Sequence, residues 1–119
     1  MSDFFRFQDF EIWKLSMTLN NELFVIADDL EHKKHFALSD QLRRASLSIS
    51  NNIAEGSGSE SNRDFANFLN IARRSVFECA NMIYILTDQN IITEKEKIIL
   101  LEKLTIISRK ITNFRASLK

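Results

Sequence analysis

Apolar residues recur along the chain with the period of about 3.6 residues that is typical of amphipathic α-helices. The pattern divides into four helical segments with short connections, and short connections place neighbouring helices antiparallel. The first segment runs from about Asp9 to Leu30, with Asp9 as its N-cap. The second and shorter segment begins at Ser39 and ends near Gly56 or Gly58. The pattern therefore predicts an all-α, antiparallel four-helix bundle.

Capping patterns mark the starts of the third and fourth helices. Ser61 lies three residues before Asp64, and Thr93 lies three residues before Glu96, which is the spacing of a capping box. An apolar stripe at helical spacing follows each of these starts, as it does in the second segment. The stripes predict the core, and they are Leu42, Ala45, Ile49 and Ile53 in the second helix, Phe65, Phe68, Leu69, Ala72, Val76, Cys79, Ile83 and Leu86 in the third, and Leu101, Leu104, Ile107, Ile111 and Phe114 in the fourth.

Composition favours one globular helical domain over residues 1–119. The chain has 45% hydrophobic residues, two glycines and no proline, which leaves few turn residues for an all-β fold. Its single cysteine allows no intrachain disulfide, and no apolar run approaches the length of a transmembrane helix. The N-terminus lacks the basic and apolar regions of a signal peptide. We therefore expect a cytoplasmic protein with no membrane contact.

Charge cancels overall but is unevenly distributed. Sixteen basic and sixteen acidic side chains give no net charge, which removes the usual indication of a constitutive nucleic-acid binder. Residues 1–31 nevertheless carry a net charge of −5, residues 32–92 carry +1, and residues 93–119 carry +4. An acidic first helix and a basic last helix can attract each other within one bundle or between subunits, and the sequence leaves both alternatives open.

Helices one and four carry more apolar surface than one bundle core requires. In the first helix the apolar arc spans roughly 200° and includes Trp13. In the fourth, Ile98, Ile99 and Ile106 form a second cluster beside the main stripe. Surplus apolar surface of this kind usually marks a protein interface, although scattered exposed apolar residues are normal. We therefore predict homo-oligomerisation through Trp13, Ile98, Ile99 and Ile106.

Nothing in the sequence indicates an enzyme, a cofactor or a metal site. His32 and His35 near Glu31 are too few for a closed metal site, and Cys79 falls in an apolar stripe. The Gly-Ser segment at residues 56–61 precedes a helix but lacks the P-loop lysine, so a helix end and a turn explain its glycines. No Ser-His-acid arrangement is suggested, and an unrecognised hydrolase is only the third hypothesis.

The second helix carries an unusual polar strip, which consists of Arg44, Ser48, Asn51, Asn52 and Glu55. Arg44 and Glu55 are about 16 Å apart along the axis and cannot pair with each other, so their partners are expected on other helices or in another subunit. One interpretation is a structural polar network of Arg44, Asn52 and Glu55. The other is a phosphate-binding surface, formed by Arg43, Arg44, Arg63, Arg73 and Arg74.

Three motifs carry a family resemblance. They are F-x-D-F-x-I-W-K at Phe7 to Lys14, L-S-D-Q-L-R-R-A-S-x-S-I-x-x-N-I-A-E-G at Leu38 to Gly56, and F-x-x-F-L-x-I-A-R-R-S at Phe65 to Ser75. In this order they resemble the bacterial four-helix-bundle family encoded within intervening sequences of 23S ribosomal RNA genes. That family is similar to the accessory variability protein of diversity-generating retroelements, a pentameric barrel that binds nucleic acid through a basic surface.

The resemblance implies an up-and-down bundle and a cyclic oligomer, a pentamer, but no activity. Together with the residue patterns it favours a non-enzymatic scaffold or adaptor that self-assembles and binds structured RNA or DNA through arginines. The alternative is a purely protein-binding or structural homo-oligomer without nucleic-acid contact.

Overall fold

A computed structural model of the chain describes residues 4–118, in which four α-helices follow a short 3₁₀ turn at Arg6–Asp9 and no strand is present. The helices are α1 at Glu11–His32, α2 at Phe36–Ser57, α3 at Asn62–Asp88 and α4 at Glu94–Ala116. The predicted all-α four-helix fold is therefore confirmed. The predicted domain also takes in residues 1–3 and 119, which lie outside the described part of the chain.

The helices follow one another around the bundle in an up-and-down order. Helix α2 packs between α1 and α3, and α3 packs between α2 and α4. Helix α4 closes the bundle against α1 with far less contact than the sequential pairs make. The result is an elongated body of 44 × 23 × 23 Å whose seam between α1 and α4 is the least tightly packed.

The capping patterns predicted two helix starts correctly. The Oγ of Ser61 accepts a hydrogen bond from the backbone N–H of Asp64 at 3.1 Å. At the start of α4, the Oγ1 of Thr93 accepts from the N–H of Glu96 at 3.1 Å, and the Glu96 carboxylate accepts from the N–H of Thr93 at 3.1 Å. This reciprocal pair is the capping box that the spacing predicted.

Two boundary predictions were wrong. Asp9 does not cap α1, because it belongs to the 3₁₀ turn and Phe10 takes the N-cap position in extended geometry. Helix α2 begins three residues before the predicted Ser39. It has 22 residues, as many as α1, so the prediction that it is shorter is wrong. Lys34 adopts a φ of 65° in a Schellman turn at the end of α1. The sequence did not indicate this turn, because glycine is the usual residue at such a position and none is present there.

The predicted stripes of α2 and α3 form the core, with the exception of the half-buried Phe68. In α4, Leu100 replaces Leu101 as the first buried position of the stripe. At one end of the bundle the rings of Phe10, Phe65 and Phe114 pack with centroids 4.9–6.1 Å apart. None of the helices described here has an apolar stretch of the length that a bilayer crossing needs.

Candidate functional site

The polar strip of α2 lies on the outer surface of the bundle and reaches α3 at one point. The Oγ atoms of Ser48 and Ser75 are 2.7 Å apart, which links the two helices. Asn52 donates through Nδ2 to the Ser48 carbonyl at 2.7 Å and to the Ser48 Oγ at 3.0 Å. Of the predicted structural network, Asn52 is thus the member that takes part in a bonded cluster.

Arg44 and Glu55 do not reach other helices of the same subunit. Arg44 donates to the Gln41 side chain at 3.3 Å, one turn away on its own helix. The Glu55 side chain is exposed and makes neither a hydrogen bond nor an ion pair within residues 4–118. The prediction of partners on neighbouring helices is therefore wrong within one subunit, because both side chains occupy the α2 face that is turned away from the core. Partners in another subunit remain a prediction.

The buried polar cluster of the bundle lies elsewhere, between α1 and α2. Asn20 is only 6% exposed, and it accepts from the Ser46 hydroxyl and donates to the Ser50 Oγ at 3.1 Å. Nearby, the Ser39 hydroxyl donates to the carbonyl of Ala27 at 2.9 Å. Sequence reasoning missed this cluster. The sequence feature that could have indicated it is Asn20 itself, which directly follows Leu19 on the buried side of α1.

Two of the five candidate phosphate-binding arginines contact an acidic or an aromatic side chain of the same subunit. Arg43 faces α1, where its Nη2 lies 2.6 Å from Oδ1 of Asp28, and this hydrogen bond raises the pKa of Arg43 above its ordinary value. Arg73 faces α4 and lies over the ring of Phe77 at 4.9 Å from the ring centroid. These two side chains therefore point to opposite sides of the bundle.

The other three, Arg44, Arg63 and Arg74, are exposed and have no carboxylate partner among residues 4–118. Arg44 lies on the outer surface of α2, Arg63 in the first turn of α3, and Arg74 next to Ser75. Arg43 and Arg44 line one shallow surface pocket of α2, whereas Arg73 lines the groove between α3 and α4. One subunit does not bring them together into a single basic patch.

Of the surplus apolar residues of α4, Ile99 and Ile106 line the open seam with α1, whereas Ile98 lies beside Ile106 on the outer surface of α4. Ile98, Ile99 and Ile106 are 53%, 44% and 47% exposed, and Val25 of α1 lines the same surface as Ile99 at 69% exposure. We call these four side chains the α1–α4 face. Trp13, the fourth predicted interface residue, is half-buried and its ring packs against Phe7 at 5.2 Å.

Ion pairs bridge the same seam. Lys110 lies 2.7 Å from the carboxylate of Glu11, and Lys103 pairs with Glu22. These contacts join the acidic first helix to the basic last helix within one subunit, so at least part of the uneven charge serves the bundle itself.

A groove between α3 and α4 carries basic and aromatic side chains together. Phe77 and Tyr84 are 57% and 54% exposed, and Arg73 and Arg109 line the groove with them. The Nζ of Lys97 lies 5.7 Å from the centroid of the Tyr84 ring. Sequence reasoning included Arg73 but missed the two aromatic residues, whose signal was their spacing of seven positions on one side of α3.

The remaining candidate chemistry is structural or exposed. Burial raises the pKa of the Cys79 thiol to about 12, so the thiolate that a nucleophile requires is scarce at neutral pH. His32 and His35 are exposed, and no group of three His, Cys, Asp or Glu side chains within the described range is placed to hold a metal ion. Gly58 caps the end of α2, and Ser61 caps the start of α3.

Comparison with known proteins agrees with the four helices and with the motifs that they carry. The sequence profile of the family described as 23S rRNA-intervening sequence protein matches residues 8–113. The chain belongs to this family. The match extends from the 3₁₀ turn almost to the end of α4. No curated protein matches the chain, and the family description names no biochemical activity.

Proposed function

We propose that this protein is a non-enzymatic homo-oligomeric scaffold that assembles through the α1–α4 face and binds RNA or DNA through outward-facing arginines. The observation that carries the proposal is the exposure of Val25, Ile99 and Ile106 along the seam between α1 and α4, with the exposed Ile98 beside Ile106 on α4. Burial of these side chains against a neighbouring subunit stabilises the assembly by about 25 cal/mol per Å² of apolar surface that is removed from water.

Charge favours a second copy of the chain as the partner of this face. Residues 1–31 carry a net charge of −5 and residues 93–119 a net charge of +4, so that the first helix of one subunit and the last helix of another attract each other. Head-to-tail contacts that close give rings, whereas contacts that do not close give filaments. A closed ring is therefore the expected assembly, and five is the number of subunits that the family resemblance implies.

The mass of the particle in solution tests the assembly. Light scattering at micromolar concentration should give a multiple of the subunit mass, and Ile99→Lys or Ile106→Lys should lower that mass while the helical content is retained. Ile99→Leu, which keeps the apolar surface, is the matched control and should assemble like the parent. A monomeric mass for the parent protein contradicts the proposal.

Three exposed arginines support the nucleic-acid part of the proposal. Arg44, Arg63 and Arg74 make no ion pair within residues 4–118, so their guanidinium groups are available for phosphates. One neutral subunit has little positive surface, and affinity has to come from repetition of these arginines around the assembly. Binding should then fall steeply with salt and show little sequence preference.

Fluorescence anisotropy with ribosomal RNA fragments and duplex DNA at low salt tests this part. Replacing Arg44, Arg63 and Arg74 together by Gln should weaken binding at least tenfold. Arg43→Gln is the control, because Arg43 is already paired with Asp28. If an assembled sample binds neither nucleic acid at tens of micromolar, the protein-binding scaffold becomes the better hypothesis.

A further inference from the structure

The groove between α3 and α4 is a second surface with chemistry of its own. We propose that it binds a single-stranded segment of nucleic acid, whose bases stack on Phe77 and Tyr84 and whose phosphates contact Arg73 and Arg109. The inference rests on the nucleic-acid part of the proposed function, but it names a different site and a different form of the ligand.

The aromatic residues are the first support. Phe77 and Tyr84 are more than half exposed, although burial of a large aromatic side chain ordinarily contributes more to stability than burial of a smaller one. They stand seven residues apart on α3, which is two helical turns or about 10 Å along the axis. Each ring has a cation over it, with Arg73 at 4.9 Å from the Phe77 centroid and Lys97 at 5.7 Å from that of Tyr84. Two aromatic platforms in one groove suit the bases of an unpaired strand.

The charge of the groove is the second support. Its lining contains Arg73 and Arg109 and no carboxylate. Arg109 is exposed and has no ion-pair partner within residues 4–118, while the Nε of Arg73 is buried there without a hydrogen bond. Lys97 beside the groove is held by Glu94, whose hydrogen bond raises the pKa of Lys97. The lining is therefore cationic, as a phosphate backbone requires.

The volume and shape of the groove select the form of the nucleic acid. It encloses about 340 Å³, in the range of sites that hold small organic ligands, and it is open along one side. Bases that are paired inside a duplex cannot reach a side-chain platform, whereas the bases of a single strand can be turned outward and stacked. The α1–α4 face, in contrast, is apolar and contains no aromatic residue.

Binding of a fluorescent oligothymidylate of about twelve nucleotides to the assembled protein tests the proposal. Phe77→Leu and Tyr84→Leu keep apolar bulk but remove the stacking surface, and each should weaken binding about tenfold. Phe36→Leu is the matched control, because Phe36 is 56% exposed at the start of α2, away from the groove. Arg109→Gln should reduce the dependence of binding on salt. The same oligonucleotide in a duplex should be insensitive to Phe77→Leu.

Each contrary outcome identifies what fails. If the assembled protein binds the single strand but the groove variants bind like the parent, the groove is not the site and the proposed function stands on the other arginines. If it binds no nucleic acid, both the nucleic-acid part of the proposed function and the groove site are overturned. If Phe77→Leu or Tyr84→Leu changes the particle mass in light scattering, the groove is a contact between subunits and the proposal is overturned.

Discussion

The interface between α2 and α3 and the seam between α1 and α4 are built on opposite principles. At the first, Gly56 lets the two backbones approach so closely that an added Cβ would lie 2.5 Å from Cβ of Phe68. At the second, the helices stand apart, and Lys103 and Lys110 reach across to carboxylates on α1. A small residue gives close packing at one place, and long charged side chains span an opening at the other.

The difference separates the part of the molecule that determines the fold from the part that is available to partners. Core side chains between α2 and α3, such as Ile53 and Leu69, are fully buried, whereas isoleucines beside the α1–α4 seam are nearly half exposed. Substitutions on the first side should act on the stability of the subunit. Substitutions on the second should act mainly on association.

Gly56→Ala should have the largest effect on stability. The added methyl group meets Cβ of Phe68, an atom fixed to the backbone of α3, so the helices have to move apart. We expect the free energy of unfolding to fall by about 3 kcal/mol, the upper end of the range for overpacking. Urea unfolding followed by circular dichroism measures it. Gly58→Ala is the control, because the nearest atom is the Glu55 carbonyl oxygen at 3.4 Å; an equal loss there would refute the packing argument.

Asn20→Ala extends the test to the interface between α1 and α2. It leaves the hydroxyl groups of Ser46 and Ser50 buried without their amide partner. The expected loss is about 2 kcal/mol, the usual cost of unpaired buried polar groups. The exposed neighbour Asn21→Ala supplies the control in the same urea titration. If both variants unfold alike, the buried cluster adds nothing to stability.

Lys110→Met examines the open seam. Its ion pair with Glu11 joins side chains that are 42% and 66% exposed, so solvent screens most of the attraction. The variant should lose only about 0.5 kcal/mol, and the loss should shrink in high salt. A double-mutant cycle with Glu11→Gln isolates the pair. A coupling as large as the effect of Gly56→Ala would mean that the seam is not the weaker side of the bundle.

The periodicity and the capping residues predicted most of the fold because both are local signals. Ser61, Thr93 and Glu96 act within one turn, and the α2 stripe from Leu42 to Ile53 repeats at the helical period. The turn at Lys34 was missed because its left-handed conformation is held by backbone hydrogen bonds from the next helix start, without the glycine that usually signals it.

The candidate site was less predictable, because it depends on which way the helices face. All five candidate arginines are visible in the sequence, yet only the packing of α2 and α3 shows that Arg43 turns toward α1 and Arg73 toward α4. Gly56 in the N-I-A-E-G motif correctly indicated the end of α2, which lies at Ser57, but it did not indicate the close contact with Phe68 of α3. The spacing of residues along one helix does not show which other helix their side chains will contact.

Glu55→Ala should have the smallest effect on the subunit and gives the sharpest test of the α2 outer surface. Removing a carboxylate that is buried with a partner inside the subunit would cost about 1 to 3 kcal/mol. Glu55 is instead exposed and has no partner among residues 4–118, so the free energy of unfolding should change by less than about 0.5 kcal/mol. The measurement is urea unfolding below the concentration at which the protein assembles, with Glu60→Ala, another exposed carboxylate, as the control. If Glu55→Ala leaves the subunit stable but lowers the particle mass, its partner lies on another subunit; if the subunit itself loses stability, the outward placement of Glu55 is wrong.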